Sequence, residues 1–102
     1  MKPFVVYELD RPRTMRFSIK GIKMIESLFK KDLSEIVFEA LRPDDLVKVI
    51  YAGLCSEDPE LTLEKTEELL DQYSTIGEIM AKMTEALTES FKQPEVAGDS
   101  KK

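Results

Sequence analysis

Up to Phe17 the hydrophobic and polar positions follow a strand-like pattern, and beyond Ser18 they recur at helical spacing. Phe4-Val5-Val6-Tyr7-Glu8-Leu9 is rich in aromatic and β-branched residues, which suit a half-buried strand. Asp10-Arg11-Pro12-Arg13 supplies turn chemistry, with Pro12 fixing its own φ and withholding a backbone donor. Thr14-Met15-Arg16-Phe17 alternates apolar and polar residues and predicts a returning strand. A two-stranded hairpin is marginal in water by itself, so its apolar side must rest on helices.

Five helices are expected after the hairpin. Ser18 is the N-cap of the first, whose Ile22, Ile25 and Phe29 form a stripe widened by Met24 and Leu28; Lys30-Lys31 suit its negative dipole end. Asp32-Leu33-Ser34-Glu35 resembles a capping box and opens a short second helix, with Leu33, Ile36, Val37, Ala40 and Leu41 on one face. Pro43 fits the first turn of the third helix, beside Asp44 and Asp45 at its positive end. Leu46 to Leu54 is then apolar on nearly every side, the signature of a buried, central helix. Gly53 within it costs about 1 kcal/mol relative to alanine, and either a close-packed neighbour or a position near the helix end accounts for it.

Ser56-Glu57-Asp58-Pro59-Glu60 is a polar loop. Thr62 caps a fourth helix through Tyr73, with Leu63, Thr66, Leu70 and Tyr73 inward and Glu64, Lys65, Glu68 and Asp71 outward. Thr75-Ile76-Gly77-Glu78 is a second capping-box candidate. It opens a last helix whose stripe is Ile76, Ile79, Met80, Met83, Leu87 and Phe91. The pattern predicts a mainly α protein of the α+β class: a short N-terminal β-hairpin packed on a compact bundle of about five helices. At 102 residues this is one domain, residues 1–92, followed by a disordered polar tail, 93–102.

Composition narrows the chemistry. The chain has no histidine, the commonest general base and metal ligand. Cys55 is its one cysteine; in the third helical pattern it reads as a small buried hydrophobe, leaving neither cysteine–histidine catalysis nor a zinc site. The four glycines are isolated, so there is no phosphate loop and no dinucleotide fingerprint. Asp44-Asp45 belong to a helix start, Glu57-Asp58 to a solvated loop and Glu67-Glu68 to an exposed face. The expectation is a binding protein with no catalytic residues, metal or cofactor.

Charge bears on the partner. Residues 1–51 carry ten Lys/Arg against eight Asp/Glu, and residues 52–102 carry five against twelve. An acidic second half repels phosphate backbones, and the basic cluster Arg11, Arg13, Arg16, Lys20 and Lys23 contains no base-reading motif. Such a cluster is a solvated face or a patch for an acidic protein. No apolar run reaches the ~20 residues of a membrane span, and no stretch resembles a signal peptide, which points to the cytoplasm. The last helix is the candidate partner surface, because methionine adapts to varied partners, although a methionine stripe at helical spacing is more often core. Its first half would pack on the domain while Leu87 and Phe91 project toward the partner.

Several segments, taken in order, resemble the tail assembly chaperones of long-tailed bacteriophages and prophages. They are the amino-terminal hairpin, Arg16-Phe17-Ser18-Ile19-Lys20, Val49-Ile50-Tyr51-Ala52-Gly53-Leu54 and Glu57-Asp58-Pro59-Glu60-Leu61-Thr62-Leu63-Glu64, with a terminal helix ending near Ser90-Phe91. The likeness covers about residues 4–91, and it rests on the ordered combination. It implies a non-catalytic protein of the host bacterial cytoplasm that coats the tape measure protein, helps recruit tail tube protein and is absent from the finished virion. It also implies self-association along an elongated client, and a frameshifted longer form; Lys101-Lys102 is compatible with a slippery run of adenines. The rival expectation is a small helical adaptor or regulatory protein linked to transcription, supported by the basic cluster.

Overall fold

Val5–Glu8 (β1) and Pro12–Met15 (β2) pair antiparallel, Val5 opposite Met15 and Glu8 opposite Pro12. In the computed structural model, which describes residues 4–91, β2 therefore starts two residues before the expected Thr14 and does not extend to Phe17. The expected polar tail, 93–102, lies outside the described residues. Pro12 opens the strand, a position where its missing N–H breaks no inner ladder bond. The turn contracts to Leu9-Asp10-Arg11, with the Leu9 N–H donating to the Arg11 carbonyl at 3.2 Å. Strand alternation buries Val5, Tyr7, Arg13 and Met15, and that face rests on the helices.

Four α-helices follow among the described residues: α1 (Ile19–Phe29), α2 (Pro43–Leu54), α3 (Leu63–Tyr73) and α4 (Ile76–Phe91). The mainly helical class with an N-terminal hairpin is as expected, but the count of about five is not. The predicted short helix after Asp32 is two 3-10 turns, Leu33–Glu35 and Phe38–Ala40. Ile36, Val37 and Leu41 adopt extended backbone angles, which the β-branched Ile36 and Val37 favour. Glu35 does reach back to the Asp32 N–H at 3.1 Å, so local capping chemistry forms without a helix to propagate it. Breaking the helical period removes the predicted face: Val37 is exposed, and Phe38 is partly buried against the core.

The other helix starts follow their caps. Ser18 Oγ accepts from the Gly21 N–H at 3.1 Å and Thr62 Oγ1 from Lys65 at 3.0 Å, each satisfying one orphan donor of a first turn. Thr75 Oγ1 likewise accepts from the Glu78 N–H at 3.2 Å; the Glu78 carboxylate bonds Ser74 Oγ at 3.1 Å, outside the reciprocal pattern of a capping box. Lys30 ends α1 in the left-handed region at φ 57°. On α3 the inward stripe is rotated from the expected one. Leu69 is buried beside Thr66 and Leu70, while Tyr73 is 49% exposed.

Central placement of α2 holds. It packs on β2, α1, α3 and α4, and Leu46, Val49, Ile50, Ala52, Gly53 and Leu54 are all buried. Both readings of its glycine hold: Gly53 is the next-to-last residue of α2, and a Cβ there would lie 2.7 Å from Met15 Cγ and 3.1 Å from Phe17 Cζ. The hairpin is pinned at the same place, because the Arg16 N–H donates to the Gly53 carbonyl at 2.9 Å. Gly21 lets α1 approach in the same way, since a Cβ there would meet the Ala52 carbonyl oxygen at 3.1 Å.

Polar links complete the docking of the hairpin. The Tyr7 hydroxyl, on a side chain 2% exposed, bonds the Ser74 hydroxyl in the α3–α4 joint. Lys82 Nζ donates to the Val6 carbonyl at 3.0 Å and Ser90 Oγ accepts from the Phe17 N–H at 3.2 Å. Burial pushes the Tyr7 phenol above its ordinary range; the Ser74 bond opposes this and the nearby Glu78 carboxylate adds to it. A raised folded-state pKa means stability that is full below the unfolded value, about 10, and declines as pH rises through the folded one. Thermal unfolding followed between pH 8 and 11 should therefore show an alkaline decline that Tyr7→Phe reduces. An unchanged decline in the variant would place its origin elsewhere.

Candidate functional site

The buried guanidinium of Arg13 changes the reading of the basic cluster. It is 8% exposed and grips Asp10 through two bonds, Nε to Oδ1 at 2.9 Å and Nη2 to Oδ2 at 3.1 Å. Nη1 reaches Asp58 Oδ2 at 3.1 Å, and Arg11 adds a looser 3.8 Å contact to the same carboxylate. Charge-assisted bonds of this bidentate kind are the strong ones. Arg13 thus belongs to a joint between the hairpin turn and the α2–α3 loop, not to a surface patch. Asp58, expected in a solvated loop, is the other half of that joint. The Arg13 hydrogen bond holds the Asp10 carboxyl below the usual range.

Cys55 is half-buried rather than enclosed. Its Sγ–H points to the Ala52 carbonyl at 3.6 Å, and burial raises its pKa, which keeps the thiol protonated. Among the described residues no cluster of three or more cysteine, aspartate or glutamate side chains is placed to hold a metal ion. No described helix is long and apolar enough to cross a membrane.

The apolar stripe of α4 is where the surface opens. Helical spacing marks Ile76, Ile79, Met80, Met83, Leu87 and Phe91. Ile79, Met83 and Leu87 are buried, whereas Ile76 is 55% and Met80 39% exposed. Leu87 is thus a core residue and does not project past the domain; its 8% exposure lies on the floor of a recess. The expectation for the Phe91 side chain falls outside the described residues. The five others line two recesses that follow one another along the helix. The first, of about 350 Å³, lies where α4 starts against α2 and α3, with Ile76 and Ile79 joined by Leu46, Val47 and Leu70. The second, of about 310 Å³, lies between α4 and the second 3-10 turn, with Met80, Met83 and Leu87 facing Phe38.

Sequence periodicity located the α4 side of both recesses. It did not locate Phe38 or the rim of the first recess, where Asp44, Glu67 and Asp71 stand. Glu67 and Asp71, four residues apart on α3, carried the usable signal, since that spacing puts two like charges on one helix face. Comparison of the chain with protein-family models, with curated proteins and with solved structures finds no match.

Proposed function

We propose that this chain is a non-catalytic chaperone that holds an amphipathic helical segment of a larger protein against α4. The observation that carries this reading is the pairing of exposed Ile76 and Met80 with two apolar recesses on one helix stripe. A client helix laid in such a groove inserts anchors at i, i+3, i+4 and i+7 spacing. Methionines at positions 80 and 83 let the recess remodel around different side chains. Surrounding charge, 34% of the sequence, keeps such a complex in solution.

The resemblance to tail assembly chaperones supplies the setting. The client is then the tape measure protein, long and largely helical, coated by several copies of this chain that also recruit tail tube protein. The adaptor or regulatory alternative leans on the basic cluster, and the internal pairing of Arg13 removes one of its five members.

Co-expression tests the proposal. Ile76→Glu/Met80→Glu charges two exposed positions, so the fold should remain within about 0.5 kcal/mol of the parent. The parent chain should keep the tape measure protein soluble and co-purify with it, and the variant should do neither. An insoluble client with the parent chain would refute the chaperone reading. Equal co-purification of the variant would move the site away from α4.

A further inference from the structure

The two recesses differ in charge, and that difference defines the client more closely than apolar surface alone. Asp44, Glu67 and Asp71 line the first recess, and no lysine or arginine lines it. These three carboxylates make no ion pair or hydrogen bond among the described residues, whereas their neighbours Asp45 and Glu68 pair with Lys48 and Lys65. Glu67 and Asp71 also repel one another across a single helical turn, an arrangement that disfavours α3 by itself. Two helix N-termini, those of α2 and α4, open toward this recess and contribute about half a positive charge each, and the C-terminus of α3 returns half a negative one. The recess stays negative. The second recess carries one charged lining residue, Glu39, among Phe38, Met80, Met83 and Leu87.

From this asymmetry we infer that the groove takes an amphipathic helix carrying lysine or arginine beside its apolar anchors at the end seated against α2 and α3. At the other end the anchors are flanked by neutral residues. Charge complementarity of this kind fixes the register and orientation of a bound segment more than it adds affinity. The inference rests on the α4 groove being the client site, and adds the chemistry and direction of the client.

Peptide binding tests both levels separately. The stripe from Ile76 to Leu87 spans roughly 16 Å at 1.5 Å per residue, so helical peptides of about 16 residues cover it. Three versions share one leucine stripe and differ in carrying lysine, glutamine or glutamate beside the first two anchors. Fluorescence anisotropy with the full chain should show the lysine peptide binding about tenfold tighter than the glutamate one at low salt, converging near 1 M salt, where screening falls to about 3 Å. Asp44→Asn/Glu67→Gln/Asp71→Asn should remove the preference while leaving the glutamine peptide bound. Equal binding of lysine and glutamate peptides, or a preference that survives in the triple variant, overturns the inference and leaves the groove intact. Absence of binding by all three, or binding indifferent to Met80→Glu, overturns the groove itself.

Discussion

Gly53→Val should lower stability by about 3 kcal/mol and Gly53→Ala by about 1 kcal/mol, although both residues are better helix formers than glycine. Propensity alone predicts the opposite sign for alanine, a gain of about 1 kcal/mol. The contact geometry decides against it. An added Cβ meets Met15 Cγ at 2.7 Å and two Phe17 ring atoms at 3.1 and 3.2 Å. Met15 is fully buried and Phe17 is 5% exposed, so neither side chain has open space to move into. The hairpin cannot withdraw without breaking the Arg16–Gly53 backbone bond. Urea midpoints give the answer directly. In a domain of this size each kcal/mol corresponds to about 4–8 °C in Tm, so the valine variant should also melt well below the parent. A stabilised alanine variant would show that the hairpin yields easily and that α2 does not dictate its seat.

The second large effect concerns the Arg13 joint, and there the choice of partner removed matters. Asp10→Ala/Asp58→Ala leaves a guanidinium buried with no carboxylate, a change that costs about 3 kcal/mol or more. Arg13→Met removes the charge and keeps much of the packing volume, leaving two carboxylates that are 33% and 27% exposed and can turn to water. Its cost should be nearer 1–2 kcal/mol, the scale of the lost charged hydrogen bonds. The aspartate pair should therefore be the more harmful substitution even though each carboxylate is the more exposed partner. The same joint predicts acid sensitivity. With its folded-state pKa depressed by Arg13, Asp10 contributes stability that is present above its unfolded value, about 4, and is lost as pH falls through the folded one. Arg13→Met should flatten that acid limb. Equal losses in the two variants would mean that the buried charge is not the governing term.

These two sites differ in how far the sequence revealed them. Gly53 stood out because a glycine interrupts an apolar helix, and its place beside the helix end was legible, whereas its close packing depends on Met15 and Phe17 from a separate element. Arg13 and Asp58 gave no local signal at all; they are 45 positions apart, and each looked like ordinary surface charge. Caps were legible because their chemistry is local: Ser18, Thr62 and Thr75 each bond an N–H within the next turn. The segment after Asp32 misled because its apolar spacing fits a helix, while tertiary contact with Ile36 and Phe38 favours extended links between short turns.

The candidate surface shows the same division. Helical periodicity found the stripe from Ile76 to Leu87, since one face of a helix is a property of the sequence. It could not separate core from rim. That separation depends on how α2 and β1 pack against α4, with α3 and the second 3-10 turn forming the far walls of the two recesses. Burial of Leu87 and exposure of Met80, seven positions apart, are decided by those neighbours.

Hydrogen–deuterium exchange of the chain with and without its helical client distinguishes an α4 site from any other. If the client lies along α4, added protection should concentrate in residues 76–88 and in the segments that face them, 38–47 and 67–71. Protection confined to the Arg11–Lys23 region, with residues 76–88 unchanged, would mean that the client binds the basic cluster and that α4 is not the site.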